Sequence, residues 1–301
     1  MDFSDDTRWT LDLGDGIVAR ATERPDSPLL AHFFAGYDRA FVLPDEREEF
    51  DGFKACLAIN PQSRRRFGRV HRELVLVVDD LAGGRRLGGA NFLATAMRGP
   101  AGHPAVAVAL NYLYVEPEAR GRGLSRRLLA AVARLANRAV DQVDEGGWPG
   151  IFIEQNDPLR LSAAEYTADT LRAGIDQIDR LRIWATLGAR LVDFAYVQPA
   201  LSAQQQCDDG LAYAVVGFPL DCIHAQYLHD HLESFFGISV LKGGDPDHDP
   251  VAAPQLEALR AMSHVGACVP LLEFASSLDR LRALQPDLPQ GALRRFARGA
   301  E

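Results

Sequence analysis

The 301-residue chain has few cysteines and no excess of basic residues. Its four cysteines (Cys56, Cys207, Cys222 and Cys268) are scattered without a C-x-x-C pair. This distribution argues against a disulfide framework or a cysteine zinc site and favours a reducing compartment. The net charge of −9 argues against a general nucleic-acid binder, which would usually carry a basic excess.

Signals for membrane insertion or export are also missing. No apolar run approaches the roughly 20 residues that span a bilayer. The stretch MDFSDDTRW is acidic and has no apolar core, so it does not predict a signal peptide. We therefore expect a soluble, cytoplasmic protein with no membrane or nucleic-acid partner.

Two groups of residues could suggest a metal site, and neither fits one. The spacing of His224, His229 and His231 does not give the i, i+4 pair of a zinc helix, so we predict that they are surface residues. The acidic run Asp245–Asp249 alternates as in a calcium loop, but Pro250 stands where that loop needs glycine. The sequence therefore predicts no metal.

The most informative stretch runs from Ala105 to Val140. Its first part alternates like a strand, and one face is predicted to carry Val106, Val108, Leu110, Tyr112 and Tyr114. After Ser125 the apolar residues recur at helical spacing. Between strand and helix lies the glycine-rich segment Arg120–Ser125, called the cofactor loop below. A turn of this kind exposes unpaired N–H groups at the positive end of a helix dipole, which predicts an anion site, most often for phosphate.

Two common phosphate-binding motifs do not match the cofactor loop. No Gly-Lys-Ser/Thr ending of a P-loop is present, and Arg126 stands where a dinucleotide fingerprint needs its third glycine. The loop instead resembles the acyl-CoA-binding motif of the GNAT (GCN5-related N-acetyltransferase) superfamily, Gln/Arg-x-x-Gly-x-Gly/Ala. Arg120, Gly123 and Ser125 take its three defined positions, and Ser125 departs from the Gly/Ala preference while remaining small.

The resemblance implies a binding mode for acetyl-CoA, the expected acyl donor. The backbone amides of Arg122, Gly123, Leu124 and Ser125 would hold the pyrophosphate of coenzyme A. The strand end from Leu113 to Val115 would pair with the pantetheine arm, and Asn156 is a further candidate for holding that arm or a water molecule.

The order of predicted elements is that of the same superfamily. Strands over Glu73–Val78 and Leu87–Met97 form an antiparallel meander with the strand that begins at Ala105. A helical crossover then makes the strand Gly150–Glu154 parallel to it. We predict an α/β (α+β) GNAT fold, with a mixed, mostly antiparallel sheet flanked by helices. Residues 1–220 would form the acyltransferase domain, and residues 221–301 a helical extension that serves as a subdomain, a lid or a homodimer contact.

Acyl transfer to an amine needs a base for the ammonium proton and a donor for the developing oxyanion. The family often uses a strand glutamate as base and a helix tyrosine as acid, but Ala109 and Trp184 occupy those positions here. Glu154, at a strand end where burial would raise its pKa, is predicted as the base. Tyr114 is the candidate acid, and the N–H of Val115 is the candidate oxyanion donor.

These residues predict an acyl-CoA-dependent acyltransferase, foremost an N-acetyltransferase acting on an amine of a small molecule or peptide by direct attack. The absence of both usual proton carriers leaves other functions open. One is a non-catalytic acyl-CoA-binding regulatory module. Another is a transferase that uses a longer acyl donor or a hydroxyl acceptor.

Overall fold

The computed structural model describes residues 9–41, 47–61, 66–140 and 147–299. A hairpin of β1 (Trp9–Asp12) and β2 (Ile17–Thr22) comes first, where the sequence predicts a polar lead as far as residue 14. Two helices follow, α1 (Pro28–Ala40) and α2 (Phe50–Ile59). The helix start predicted at Pro44-Asp45 lies outside the described residues.

The predicted meander and crossover are confirmed. β3 (His71–Asp80), β4 (Arg85–Ala96) and β5 (Val106–Val115) pair antiparallel in sequence order. The helix α3 (Leu124–Ala139) then returns the chain to β6 (Gly150–Asn156), which lies parallel to β5. Because the cofactor loop joins β5 to α3, it lies at the carboxyl end of a central strand.

Two helices and two strands complete the part that resembles the superfamily. They are α4 (Ala163–Ala173), α5 (Gln177–Thr186), β7 (Ala189–Val192) and β8 (Leu211–Val216). β8 inserts between β6 and β7 and is antiparallel to both. Gly188 follows the end of α5, and its φ of +87° is the left-handed conformation that terminates helices.

The C-terminal part contains two strands that the sequence did not predict. Its elements are β9 (Cys222–His224), α6 (Ala225–Phe235), a π-helical turn (Phe236–Val240), α7 (Ala252–His264), β10 (Cys268–Leu272), α8 (Ala275–Leu284) and α9 (Leu293–Arg298). β10 pairs with β7 and with β9, so the extension is not purely helical. The parts on either side of residue 220 therefore share one sheet of ten described strands, in the order β1-β2-β3-β4-β5-β6-β8-β7-β10-β9.

The same part corrects the expectation that all four cysteines are unpaired. Cys222 and Cys268 form a disulfide, with their Cα atoms 5.8 Å apart. The pairing of β9 with β10 brings the two residues together from positions 46 apart in the sequence. Cys56 and Cys207 are free thiols. Among the described residues, no helix combines the length and apolar character needed to cross a membrane.

A β-bulge in β5 overturns the single-face alternation predicted for this strand. Asn91 of β4 is paired with Tyr112 and the next residue, Phe92, with Leu110, so Asn111 is the extra residue. Leu110 therefore packs on the α3 side, whereas Tyr112 and Tyr114 pack on the α1 side. The extra residue reverses the face of every later side chain, because strand side chains alternate with a period of two.

Candidate active site

A cavity of about 410 Å³ opens where β5 and β6 separate. The two strands are paired only over Ala107–Ala109 and Gly150–Phe152, although both are described well beyond these residues. Farther along, residues 110–115 of β5 and 153–156 of β6 line the cavity from its two sides. The cavity passes between the strands, so it reaches both faces of the sheet.

The cofactor loop forms one end of this cavity. Gly121 and Gly123 have φ of +75° and +71°, and nothing lies within 4 Å of a Cβ built on either residue. Gly123 is the N-cap of α3, and no side chain caps the helix there. The free N–H groups of the first turn therefore remain available to an anion, which fits the pyrophosphate of coenzyme A. Of the predicted loop residues, Arg120, Gly123, Leu124 and Ser125 line the cavity, and Arg122 is exposed beside it.

The strand end next to the loop presents backbone groups to the cavity. The N–H of Glu116 donates to the carbonyl of Leu87 on β4 at 2.9 Å. Because successive residues direct their backbone groups to opposite edges of a strand, the N–H of Val115 points to the edge that faces β6. Leu113 shares this orientation. Both residues line the cavity, as does Asn156 on the opposite strand.

Glu154, the predicted base, lines the same cavity on the other face of the sheet. One of its carboxylate oxygens accepts a hydrogen bond from the hydroxyl of Tyr196, and the other accepts one from Nε2 of Gln198 at 3.2 Å. Burial raises the pKa of this carboxyl to about 7, the hydroxyl of Tyr196 opposes the rise, and the nearby charge of Asp208 adds to it. A group with a pKa near 7 exchanges a proton readily at neutral pH.

Tyr196 and Gln198 were missed in the sequence because they lie beyond β7, in a segment without regular periodicity. The ring of Tyr196 stacks on that of Tyr213, with centroids 4.3 Å apart. The hydroxyl of Tyr213 is bound elsewhere, 2.7 Å from Nε2 of His231. Gln198 is held by a two-way backbone bridge to Asp208, with both N–O distances at 2.9 Å. These contacts fix the orientation of the Glu154 carboxylate.

The structure argues against Tyr114 as the acid. Its side chain is 5% exposed and packs with Phe33 on the α1 side of the sheet. The hydroxyl donates to the carbonyl of Phe33 at 3.0 Å, and burial raises its pKa well above the usual value. The bulge at Asn111 is the reason, because it turns Tyr114 to the α1 side of the sheet, opposite Leu110.

Trp184 stands where the superfamily often has the tyrosine that acts as the acid. It also lines the cavity. Its side chain is 9% exposed and packs with the α3 core. An indole N–H donates hydrogen bonds but does not titrate near neutral pH. Trp184 therefore forms an apolar wall next to the cofactor loop.

The opposite end of the cavity is lined by side chains from distant parts of the chain. Five of them form what we call the aromatic end: Phe41, Phe53, Tyr112, Phe235 and Val240. The first three belong to one ring cluster, in which Tyr112 lies 5.1 Å from Phe41 and 5.6 Å from Phe53 between ring centroids. Phe235 and Val240 come from the end of α6 and its π-helical turn. The C-terminal part thus completes the cavity, which no local sequence pattern could indicate.

A second buried carboxylate, Glu73, lies behind this end. Oε1 accepts hydrogen bonds from the amides of Asn91 at 2.6 Å and Asn111 at 2.9 Å, and Oε2 accepts one from the hydroxyl of Ser239 at 2.8 Å. Burial raises the pKa of Glu73 to about 7, and these three donors partly offset the rise. Asn91, Asn111 and Ser239 line the cavity, so Glu73 adds negative potential close to it.

The histidines of α6 are not the surface residues that the sequence predicts. His229 and His231 are 5% and 2% exposed. Within the described chain, His229, Asp230 and Glu233 form a group whose geometry could hold a metal ion. Arg69 already contacts both carboxylates there, at 3.2 Å for Asp230 and in an ion pair with Glu233. This arginine supplies the positive charge that a metal ion would otherwise bring.

No protein-family model matches the chain, and a search of curated proteins finds no match. Solved acetyltransferases are similar in fold. The ribosomal-protein-S5-alanine acetyltransferase from Vibrio fischeri is 13% identical, with 71% of this chain and 98% of that chain covered and a TM-score of 0.41. An aminoglycoside 6′-N-acetyltransferase complexed with coenzyme A is 16% identical, with 65% and 94% covered and a TM-score of 0.36.

A GCN5-related N-acetyltransferase from Sphaerobacter thermophilus is 19% identical, with 60% of this chain and 45% of that chain covered and a TM-score of 0.31. At such scores these matches assign no activity, so a function has to come from the residues that line the cavity.

Proposed function

We propose that this protein is an acyl-CoA-dependent N-acyltransferase that moves an acetyl group from acetyl-CoA to an amine of a small molecule or peptide. One observation carries the proposal. A single cavity joins the uncapped N-terminus of α3 to Glu154, whose pKa is raised to about 7 by burial. An anion-binding helix end and a neutral-pH base are the two parts that this reaction requires of the protein.

In this proposal the donor binds on one face of the sheet, and the base acts on the other. The cofactor loop would hold the pyrophosphate, and the edge of β5 at Leu113 and Val115 would align the thioester, which supplies the activated acyl group. The amine nitrogen bonds to the carbonyl carbon as the carbon–sulfur bond breaks. The N–H of Val115 would stabilise the negative charge on the carbonyl oxygen, and Glu154 would take the proton lost by nitrogen. The thiolate takes a proton from solvent.

The charge of the cavity favours an amine over an anionic acceptor. Glu154 and Asp208 line it, as does Glu48, whose charge is paired with that of Lys242. Among the described residues, its cationic lining side chains are Arg120, in the cofactor loop, and Arg180, which is paired with Asp169. An ammonium ion is therefore attracted to the Glu154 side, and an acidic acceptor is repelled.

Incubation with acetyl-CoA and a panel of amines tests the proposal. Thiol release should match the acetylated amine detected by mass spectrometry. Glu154→Gln should lower kcat by about 10²- to 10⁴-fold, the usual contribution of a general base, while thermal stabilisation by coenzyme A stays at the wild-type level. Binding of coenzyme A without thiol release, across acceptors and acyl donors, would support a non-catalytic acyl-CoA-binding module instead. If coenzyme A gives no thermal stabilisation, the proposed donor site is wrong.

A further inference from the structure

We propose that the acceptor is a compact monoamine with an apolar, ring-sized body, and that Val240 of the C-terminal part limits the size of that body. This inference rests on the proposed function and names the substrate class of the same cavity. Glu154 marks where the reacting nitrogen lies, and the aromatic end lies on the same face of the sheet. The remainder of the acceptor must therefore contact the aromatic end.

The lining of the aromatic end suits an apolar group. Phe53 and Val240 are 2% and 1% exposed, so their positions are fixed by the surrounding core. Tyr112 and Phe41 are partly exposed and present ring surface to the cavity. Aromatic walls pack well against a second ring, in edge-to-face or offset geometry. The rings of Phe41, Phe53 and Phe235 offer no hydrogen bond to the amide groups of a peptide acceptor, which would lose their bonds to water against these rings.

The carboxylates near the aromatic end are not available to bind a second ammonium group. Glu48 is already paired with Lys242, whose Nζ lies 2.6 Å from it. Glu73 is 1% exposed, and its carboxylate oxygens are occupied by the three neutral donors described above. A polyamine would therefore place an additional charge against apolar rings, where desolvation is unfavourable. Asp208, the remaining carboxylate of the lining, raises the pKa of Glu154 through its charge and so lies at the same end of the cavity. One ammonium group at Glu154 therefore fits the distribution of carboxylates better than several do.

The size of the cavity agrees with a small acceptor. Its 410 Å³ must contain the acyl end of the donor as well as the acceptor, and small-molecule sites usually measure about 300–1,000 Å³. The π-helical turn Phe236–Val240 places Val240 at the aromatic end, and π-helical turns are often found at functional sites. A larger side chain at Val240 should shorten the space for the acceptor body and leave the space at Glu154 unchanged.

The test compares four amines on the full-length protein: 2-phenylethylamine, ethylamine, spermidine and the dipeptide alanylglycine, with acetyl-CoA as donor. We expect the highest kcat/KM for 2-phenylethylamine. Val240→Phe should lower kcat/KM for 2-phenylethylamine by about tenfold or more, the effect of overpacking a filled site, with little change for ethylamine. The ratio of the two amines is independent of the amount of folded enzyme. Val265→Phe, the same change at a side chain 80% exposed, should leave the ratio as in the wild type.

Three outcomes would overturn the inference. The first is a higher kcat/KM for spermidine or the dipeptide than for 2-phenylethylamine. The second is an equal loss for both monoamines in Val240→Phe, which would indicate general damage rather than size selection. In both cases acylation still occurs, so the proposed function stands. If no amine is acylated by the wild-type protein, the proposed function fails, and the inference fails with it.

Discussion

Replacing Tyr196 by Phe removes the hydroxyl that donates to Glu154 and keeps the ring that stacks on Tyr213. A hydrogen bond to a charged group is worth about 1.5–3 kcal/mol, and one pKa unit corresponds to about 1.4 kcal/mol. The lost bond stabilises the carboxylate form, so the pKa of Glu154 should rise by about 1–2 units from its present value of about 7.

The sign of the effect on rate follows from the role of the base. Glu154 accepts a proton only when ionised, so the acid limb of kcat/KM should move to higher pH. At pH 7 the variant should be slower by about 5- to 50-fold, and near pH 9 it should recover about half or more of the wild-type rate. The assay is the rate of thiol release with a single amine between pH 6 and 9.5. The amine titrates identically with both proteins, so the difference between the two profiles reports on the enzyme.

Tyr213→Phe is the matched control, because it removes the same hydroxyl from the stacked neighbour, whose partner is His231. Its profile should keep the wild-type acid limb. If the Tyr196→Phe profile coincides with that of the wild type, Glu154 does not act as the base through the ionisation described here. A uniform loss at every pH would likewise refute the reasoning, since it would point to structural damage.

Three further predictions concern the cofactor loop, the disulfide and the second buried carboxylate. Gly123→Ala should lower the free energy of unfolding by about 1–2 kcal/mol, because the φ of +71° at this position is unfavourable for alanine. The same variant should bind coenzyme A more weakly in calorimetry. Joint replacement of Cys222 and Cys268 by Ser should lower the free energy of unfolding by about 4 kcal/mol for a sequence separation of 46 residues. For Glu73, the folded pKa of about 7 exceeds its ordinary value of 4.5. Its contribution to stability is complete below pH 4.5 and is lost as pH rises through 7. Glu73→Gln should therefore remove about 3 kcal/mol of this pH dependence from urea denaturation curves.

Each of these predictions has a clear contrary result. Gly147 has a similar φ of +67° and open surroundings, so Gly147→Ala should show the strain without the loss of binding. Equal losses of coenzyme A binding in both glycine variants would mean that the cofactor loop does not bind coenzyme A. In denaturant without reductant, two of the four cysteines should react with a thiol reagent. Four reactive thiols would contradict the disulfide. Parallel pH–stability curves for Glu73→Gln and wild type would mean that Glu73 titrates normally.

The sequence predicts the fold well wherever local periodicity governs an element. The meander, α3 and the parallel strand β6 follow from alternation, helical spacing and turn residues between Glu73 and Glu154. The short strands β9 and β10 are missed because their pairing with each other and with β7 depends on residues far apart in the chain. The bulge at Asn111 is missed for a related reason. An extra residue in a strand leaves no mark on the local composition, but it changes which side chains share a face of the sheet.

The residues of the candidate site also fall into two groups, those that a local sequence pattern indicates and those that depend on contacts between distant segments. The cofactor loop is a contiguous motif, so the sequence alone indicates it. Glu154 could be proposed from its place at a strand end. Tyr196 and Val240 could not, because Tyr196 reaches Glu154, and Val240 reaches the cavity, from segments far from β6 in the sequence. The position of the Tyr114 hydroxyl also depends on tertiary contacts, namely the bulge and the carbonyl of Phe33.

The separation of β5 from β6 has a consequence for how acceptor preference can change. One end of the opening is built from residues 113–125 and the other partly from residues 235–240. Substitutions in the later segment can reshape the recess for the incoming amine without altering the segment that would grip the nucleotide portion of the donor. Under the proposed function, the donor would be the constant partner and the acceptor the variable one. A library confined to residues 235–240 would be the direct way to redirect this protein to a new acceptor.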